Sequence, residues 1–493
     1  MSKDAIGIVW FRQDLRLADN PALVAACKDC EQLVLLFIDD PADQTVSTLG
    51  AASRVWLHHS LDSLKHSLQD KENSQSEKTN SLYFFQGNSL DVLQSVISAT
   101  GASRIYWNRC YDPVTIERDK KIKSALEDQQ PKTFNGLLVC EPWDNLKDDG
   151  TPYRVYTPFW RKAAAQLDVS DDAIRVARAP RNIPALSAAT AKKLKTAVEL
   201  KKLGLLPELD WHTEMISHWQ VGEHAARAQL DRFLKSTVQD YDKGRDTPGI
   251  VGTSRLSPHL HFGEISPRYA MQRLLDGRKP GTLEGGELTF AKEVFWREFA
   301  YSLIYHFPHT VDEPLDKRFR RFPWASDTDA DLKAWQRGRT GVPIVDAGMR
   351  ELYATGWMHN RVRMIVASYL IKNLLIEWQS GENWFRDTLV DADTASNAMG
   401  WQWTAGSGAD AAPFFRVFNP VLQGEKFDKQ GDYVRKWVPE LAEVSDRFLH
   451  KPWELPGDDR QKIDYPEPLV DLKETRKRAL EAFDAIKGTK SGG

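Results

Sequence analysis

A chain of 493 residues is too long for one ordinary domain, so two or three are expected. With 41% hydrophobic and 27% charged residues, the composition is that of a soluble globular protein, and no apolar run approaches the ~20 residues of a membrane span. The formal net charge of −3 offers nucleic acid no global attraction, so any affinity for it has to come from a local patch.

The opening residues MSKDAIGIVW hold a strand rather than the long apolar stretch of a secretion signal, which points to the cytoplasm. Strands are expected at Ile6–Phe11, Leu33–Ile38, Leu82–Gln86 and Arg104–Trp107. Helices are expected at Pro21–Cys30, Ala51–Gln69, Ser89–Ala99 and Val114–Asp128. This alternation predicts an α/β domain over residues 1–135 with a doubly wound parallel sheet. Ligands of such sheets sit beyond the carboxyl ends of the strands. Asp70–Asn80 reads as a polar surface loop. The four cysteines, Cys27, Cys30, Cys110 and Cys140, suit a reduced compartment. Cys27 and Cys30 form a CxxC, but a zinc site needs about four ligands and no second such pair follows. They read as small residues near a helix end, and no metal is expected.

From Glu141 to Pro207 the periodicity dissolves, which predicts an interdomain linker over residues 136–210 with a short helix near Ala189–Leu203. From Trp211 onward the period is helical. Residues 211–480 are therefore expected to form an all-α domain, and 481–493 a flexible tail fraying from Lys487. Twelve of the 17 tryptophans lie in this second half. Lys317, Arg318, Arg320 and Arg321, interleaved with Phe319 and Phe322, read as a phosphate track or, more often for such clusters, a solvated face.

Four constellations carry chemistry. Thr253–Arg268, TSRLSPHLHFGEISPR, opens with hydroxyl, guanidinium and N–H donors where a helix begins. That arrangement suits a phosphate or an ordinary helix cap. Glu293, Trp296, Arg297 and Ala300 fall on one stripe of one helix. Charges on a buried stripe need partners, so this is an internal Glu293–Arg297 pair or the wall of a site. In TGWMHNRVRM (Thr355–Met364), Trp357, Asn360, Arg361 and Met364 share a face, and His359 reads as structural. Asp391–Pro420 packs two carboxylates, an amide and two tryptophans ahead of a Gly-rich corner. Asp393 and Asn397, four apart, share a helical face; Trp401 lies one turn further and Trp403 points elsewhere. The layout suits a polar, planar, redox-active molecule.

These blocks resemble the photolyase and cryptochrome family. The resemblance runs from VWFRQDLR (Val9–Arg16) to about Pro456 and includes FWREF (Phe295–Phe299) and GRTGVPIVDAGMREL (Gly338–Leu352). It is strongest to bacterial members that repair cyclobutane pyrimidine dimers. It implies an all-α FAD-binding domain and a deoxyribodipyrimidine photo-lyase that binds UV-damaged DNA as a monomer. Such an enzyme flips the dimer into a central cavity, as base-flipping enzymes do, and repairs it with blue light.

By this resemblance Thr253, Ser254, Arg255, Leu256 and Ser257 hold the diphosphate of FAD, beside Tyr241. Phe290 stands beside the flavin where many relatives have Trp. Arg297, Asn360 and Arg363 face the flavin or its mouth, Asp391 and Asp393 contact the ring and ribityl region, and Asn397 faces N5. Glu293 exchanges a hydrogen bond with the thymine edge, Trp296 packs on the lesion, Met364 marks the dimer-repairing type, and Trp403 stacks on the flipped dimer. Lys292 stands where relatives often carry Asn. Arg245, Arg361, Arg416 and Gln423 contact DNA, joined at the mouth by Glu293, Trp296, Arg297, Asn360 and Trp403. Trp401, Trp378 and Trp324 match a relay that photoreduces oxidised flavin without taking part in repair.

A second, antenna chromophore is also implied. Folate-binding relatives carry an Asn–Glu pair where this chain has Val114 and Thr115, and a His in the loop that here spans Asp39–Ser53. YWNRCYDP (Tyr106–Pro113), with Asp112 and upstream Arg54, favours a deazaflavin, with methenyltetrahydrofolate as the alternative. A cryptochrome-type light receptor and a (6-4) photoproduct photolyase are the alternative functions. Met364 argues against the second, and the short end of the chain argues against the first.

Overall fold

The computed structural model describes residues 5–41, 49–69, 78–169, 174–411 and 415–487. The N-terminal domain is built on a sheet of five strands: β1 (Ile6–Phe11), β2 (Gln32–Asp39), β3 (Leu82–Gln86), β4 (Arg104–Asn108) and β5 (Lys132–Phe134). Their spatial order is β3-β2-β1-β4-β5, and every pairing is parallel. Successive side chains of a strand point to opposite faces, so a run that is apolar at every position needs cover on both sides. In β1, Val9 and Phe11 join one core with Leu35, Phe37 and Trp56. Ile8 and Trp10 join another with Val34, Leu36 and Leu93. Helices α1 (Pro21–Asp29) and α2 (Ala51–Gln69) cover the first face, and α3 (Ser89–Thr100) and α4 (Pro113–Ala125) the second. Asn20, Asn88 and Asp112 cap three of these helices.

The expected strands and helices of this domain are present with small changes of boundary. Two differences stand out: α4 stops at Ala125 rather than Asp128, and β5 was not anticipated. The linker is more ordered than expected. It contains α5 (Tyr156–Val169), whose Pro158 sits in the first turn, where a missing N–H costs nothing. The helix expected near Ala189–Leu203 is split into turns at Ala188–Ala191 and Leu200–Leu203. Lys78–Thr79 pairs with Leu186–Ser187, so the end of the expected Asp70–Asn80 loop is a ribbon. Residues 70–77 lie outside the described residues.

The second domain is helical throughout. The helices that position the site are α6 (Glu223–Ser236), α7 (Ser257–His261), α8 (Gly285–His306), α9 (Pro343–Thr355), α10 (Asn360–Ser368), α11 (Trp378–Thr388), α12 (Thr394–Ala405) and α13 (Pro420–Phe427). A last helix, α14 (Leu472–Lys487), corrects the expected tail over 481–493. Ala482 and Ile486 are buried in one cluster with Phe319 and Phe322, while residues 488–493 lie outside the described residues. Among the described residues no helix is long and apolar enough to cross a membrane.

One buried arginine ties the two domains together. Arg16 donates to the carbonyls of Ala18 (3.0 Å), Asp19 (2.6 Å), Gly136 (2.5 Å) and, across the interface, Gly263 (2.8 Å).

Candidate active site

Helix α8 forms one wall. Glu293 on it pairs with Arg245, not with Arg297 on its own stripe. Arg297 is turned inward, donating to Leu137 O at 2.9 Å, and its side chain is 10% exposed, so it offers no open face to DNA. Trp296 stacks face to face on Tyr156 of α5, with ring centroids 3.7 Å apart, so one of its faces is already taken. The hydroxyl of Tyr156 donates to the Lys292 carbonyl at 2.5 Å. Phe290 is buried, edge-on to Tyr241 at 5.9 Å.

The loop before α7 is shaped for an anion. Arg255 adopts the left-handed conformation (φ 51°) and Leu256 the right-handed one (φ −87°). Such an alternation turns successive backbone N–H groups toward one point. Among the described residues no protein group accepts from the N–H of Thr253, Ser254 or Arg255. A left-handed non-glycine residue costs of order 1–3 kcal/mol. Here the Arg255 guanidinium is held between Trp219 (4.7 Å) and Trp357 (4.6 Å). Ser257 Oγ accepts from the Trp357 indole at 3.3 Å. The loop therefore fits a diphosphate, on an observation independent of the motif.

Helix α12 packs against both α8 and α10. Asp393 caps it, accepting from Ser396 N at 2.8 Å, and also takes the hydroxyl of Tyr301. Burial pushes this carboxyl up, but His261, whose Nδ1 lies 3.7 Å away, the charge of Arg297 and the hydrogen bond of Tyr301 outweigh it and hold the group well below the usual carboxylate range. Asp391 receives Arg363 at 2.8 and 3.0 Å. Asn397 donates its Nδ2 hydrogens to Glu382, to the carbonyl O at 3.2 Å and to Oε1 at 2.8 Å. With that end spent, the amide keeps Oδ1, an acceptor, to offer elsewhere. Glu382 itself is anchored by Arg386 at 2.7 Å. Sequence reasoning missed Glu382; the i, i+4 spacing of Glu382 and Arg386 was its only signal.

Helix α10 lies beyond α12. Arg361 donates to Asp246 at 2.8 Å, lies 4.5 Å over Phe427 and reaches Met364 Sδ at 3.8 Å. Asn360 is exposed at the start of the helix. His359 caps α10 through its ring nitrogen, and burial lowers it to about 4, so it is neutral and structural. Trp403 is partly exposed. Arg416 is exposed and Gln423 on α13 is partly exposed. Trp401 and Trp378 are buried in one core, with Trp324 packed at its edge. Gly381 leaves room for no side chain against the Trp401 ring. Two of the three are thus buried and the third is partly exposed.

Several other groups are spent internally. In the basic cluster, Arg318 pairs with Asp316 at 2.6 Å and Arg320 with Glu313, while Phe319 and Phe322 are buried. This is a largely neutralised face. Burial pushes the Cys27 thiol up to about 12, the opposite of a reactive thiolate. The crevice at the carboxyl ends of β1 and β4 is filled. Asp14 accepts from Asn108 (2.6 Å) and Asn20 (3.2 Å), and Arg12 donates to Asp119 at 2.7 Å. Of the expected antenna block, the Tyr106 hydroxyl donates to Asp29 at 2.9 Å, and Asp112 takes the backbone N–H of Thr115 at 3.0 Å. Arg54 donates to Gly204 O at 3.2 Å. Residues 42–48 of the Asp39–Ser53 loop lie outside the described residues.

Known proteins bear on this geometry. A family model described as DNA photolyase matches residues 7–181, and one described as the FAD binding domain of DNA photolyase matches residues 290–485. The deoxyribodipyrimidine photo-lyase of Agrobacterium fabrum is 45% identical, with 99% of each chain covered. Cryptochrome-2 of Arabidopsis thaliana is 36% identical over 98% of this chain and 79% of its own. The crystal structure of a bacterial class III photolyase from Agrobacterium tumefaciens superposes with a TM-score of 0.89 at 44% identity, over 99% of both chains. The chain belongs to the photolyase and cryptochrome family.

Proposed function

We propose that this protein is a deoxyribodipyrimidine photo-lyase that uses blue light to repair cyclobutane pyrimidine dimers in DNA. The observation that carries the reading is Glu293, partly exposed and held by Arg245 one turn before Trp296 on α8. The protein's part is positioning, drying and electrostatics. FAD, when bound, supplies the light absorption and an electron that enters the dimer and returns, so there is no net redox change and the class is lyase.

The loop Thr253–Ser257 would hold the diphosphate, with the N–H groups of Thr253, Ser254 and Arg255 to offer, beside Tyr241 and Phe290. Arg363, Asp391 and Asp393 would hold the ring and ribityl region of the flavin, and Asn397 would offer its free Oδ1 to N5. Glu293 hydrogen-bonds the pyrimidine edge and stabilises charge arriving on the dimer. The free face of Trp296 and the ring of Trp403 flank the flipped bases, with Met364 beneath them. Arg245, Arg361, Asn360, Arg416 and Gln423 meet the strand around the lesion, which makes binding salt-dependent. Trp401, Trp378 and Trp324 carry an electron inward to oxidised flavin and stand outside the repair step. For the antenna we keep a deazaflavin ahead of a folate because Val114 and Thr115 stand where folate binders carry an Asn–Glu pair. We place the protein in the cytoplasm as a monomer.

The test is to illuminate the chemically reduced protein with DNA carrying each lesion and follow pyrimidine absorbance. Restoration with cyclobutane dimers alone is expected. Restoration with (6-4) photoproducts alone, or with neither, overturns the reading, the latter in favour of a light receptor. Glu293→Ala should lower repair yield more than DNA affinity; equal yield would remove Glu293 from the reaction.

A further inference from the structure

Two acid–base pairs adjoin one another beside α8. Arg245 is paired with Glu293, and Arg361 with Asp246, the residue that follows Arg245 in the chain. All four side chains are partly open to solvent, from 19% for Arg361 to 35% for Asp246. A phosphate arriving from outside therefore reaches either guanidinium without unfolding anything.

The groups that face Glu293 are few. Arg245 and Asp246 come from the segment after Gly244, Tyr241 from the turn before it, and Tyr156 from α5. On its own helix Lys292 and Arg297 flank it in sequence, but Arg297 is turned to Leu137 O. Among the described residues Arg245 is thus the one cation paired with Glu293. Burial pushes the Glu293 carboxyl up, Arg245 restrains it by charge and hydrogen bond, and Asp246 adds to the upward push. Guanidinium pairs a phosphate at least as readily as a carboxylate. When it does so here, the Glu293 carboxylate is left unpaired beside Asp246 in a cavity that the dimer has dried.

We propose that Arg245 is a positioning residue that exchanges Glu293 for a DNA phosphate, and that the exchange leaves Glu293 to take one proton from solvent and face the dimer as a hydrogen donor. One ion pair breaks, another forms, and a proton from water joins a Glu293 carboxyl oxygen; no electron moves. A neutral carboxyl donates to a carbonyl on which negative charge develops, whereas a carboxylate accepts only and repels it. Docking of the strand and arming of the acid are thereby one event. This inference rests on the repair reading above.

The experiment is calorimetric titration of the flavin-loaded protein, in the dark, with a duplex holding a single thymine dimer. It is run near neutral pH in two buffers of different ionisation heat. Uptake of roughly one proton per complex is expected, with affinity weakening as pH rises. Glu293→Gln should bind the dimer with no uptake. Arg245→Gln should bind more weakly and with smaller uptake, because the cation that restrains the Glu293 proton is already gone. No uptake by the unaltered protein, or undiminished uptake in Glu293→Gln, overturns the inference. Normal repair in light without uptake removes the inference alone, whereas absence of dimer binding or repair removes the repair reading beneath it.

Discussion

The crevice of the sheet and the cavity of the helical domain both gather charge below the surface, yet they are built on opposite plans. At the ends of β1 and β4, Asp14, Asn20, Asn108, Arg12 and Asp119 bind one another, so an entering ligand would cost existing hydrogen bonds. In the helical domain the pairs Arg245–Glu293 and Arg361–Asp246 are reachable from outside, and among the described residues the N–H groups of the Thr253–Arg255 loop have no protein acceptor. Polar groups satisfied by one another hold a fold. Polar groups paired loosely at a rim, or left with donors to spare, are ready for exchange. Counting charged residues does not separate the two; following each bond to its partner does.

The comparison breaks most visibly at Arg16, a member of the satisfied kind. Arg16→Met leaves four buried carbonyls without their donor and should destabilise the protein by about 3–5 kcal/mol. A denaturant midpoint that does not move would mean the interdomain network supports nothing. The next test lies on α8, where Glu298 is the internal counterpart of Glu293. It accepts from Val139 N (2.8 Å) and Cys140 N (3.1 Å), and burial raises its carboxyl to about 7. A raised value stabilises the fold at low pH, and this stability is lost as pH rises. Relative to Glu298→Gln, the unaltered protein should therefore lose about 1–3 kcal/mol between about pH 4.5 and 7. The two should repair dimers equally well. Parallel stability curves over that window would refute the assignment.

In the cavity itself, Trp378→Phe should slow photoreduction of oxidised flavin severalfold yet spare repair by chemically reduced protein. Joint failure of both steps would show that relay and repair are not separate. The smallest effect is expected at the rim. Arg416→Ala should weaken binding to damaged and undamaged DNA alike, by about 1 kcal/mol, and lower the salt slope by about one. An unchanged slope would place Arg416 away from the phosphates.

Much of this was legible in the residues. Short apolar runs and helical patterns located four strands and four helices of the first domain, because runs covered on both faces leave a strong signal. β5 escaped because three residues at a sheet edge carry no period, and α5 because its proline disguised the start of a helix. The tail was misjudged where Ala482 and Ile486 find cover in Phe319 and Phe322, more than 150 positions earlier. In the site, motif positions named the cavity walls but not their partners. Local spacing suggested Glu293–Arg297, whereas the real partner, Arg245, lies in another segment. Tyr156 behind Trp296 and Asp246 opposite Arg361 were invisible for the same reason: each contact is made by the fold, not by neighbours along the chain.

The start of α2 has a consequence for how the halves act together. A side chain at Gly50 would collide with the backbone of Arg386, Ala51 N donates to Asp387 at 3.0 Å, and the Ser53 hydroxyl donates to Leu389 O at 2.7 Å. These rivets join the first domain to α11, the helix that bears Trp378 and Glu382. A pigment seated on that domain would consequently keep one separation and one angle to the reaction centre. The efficiency of excitation transfer would then be a constant of the architecture, not an average over swinging bodies.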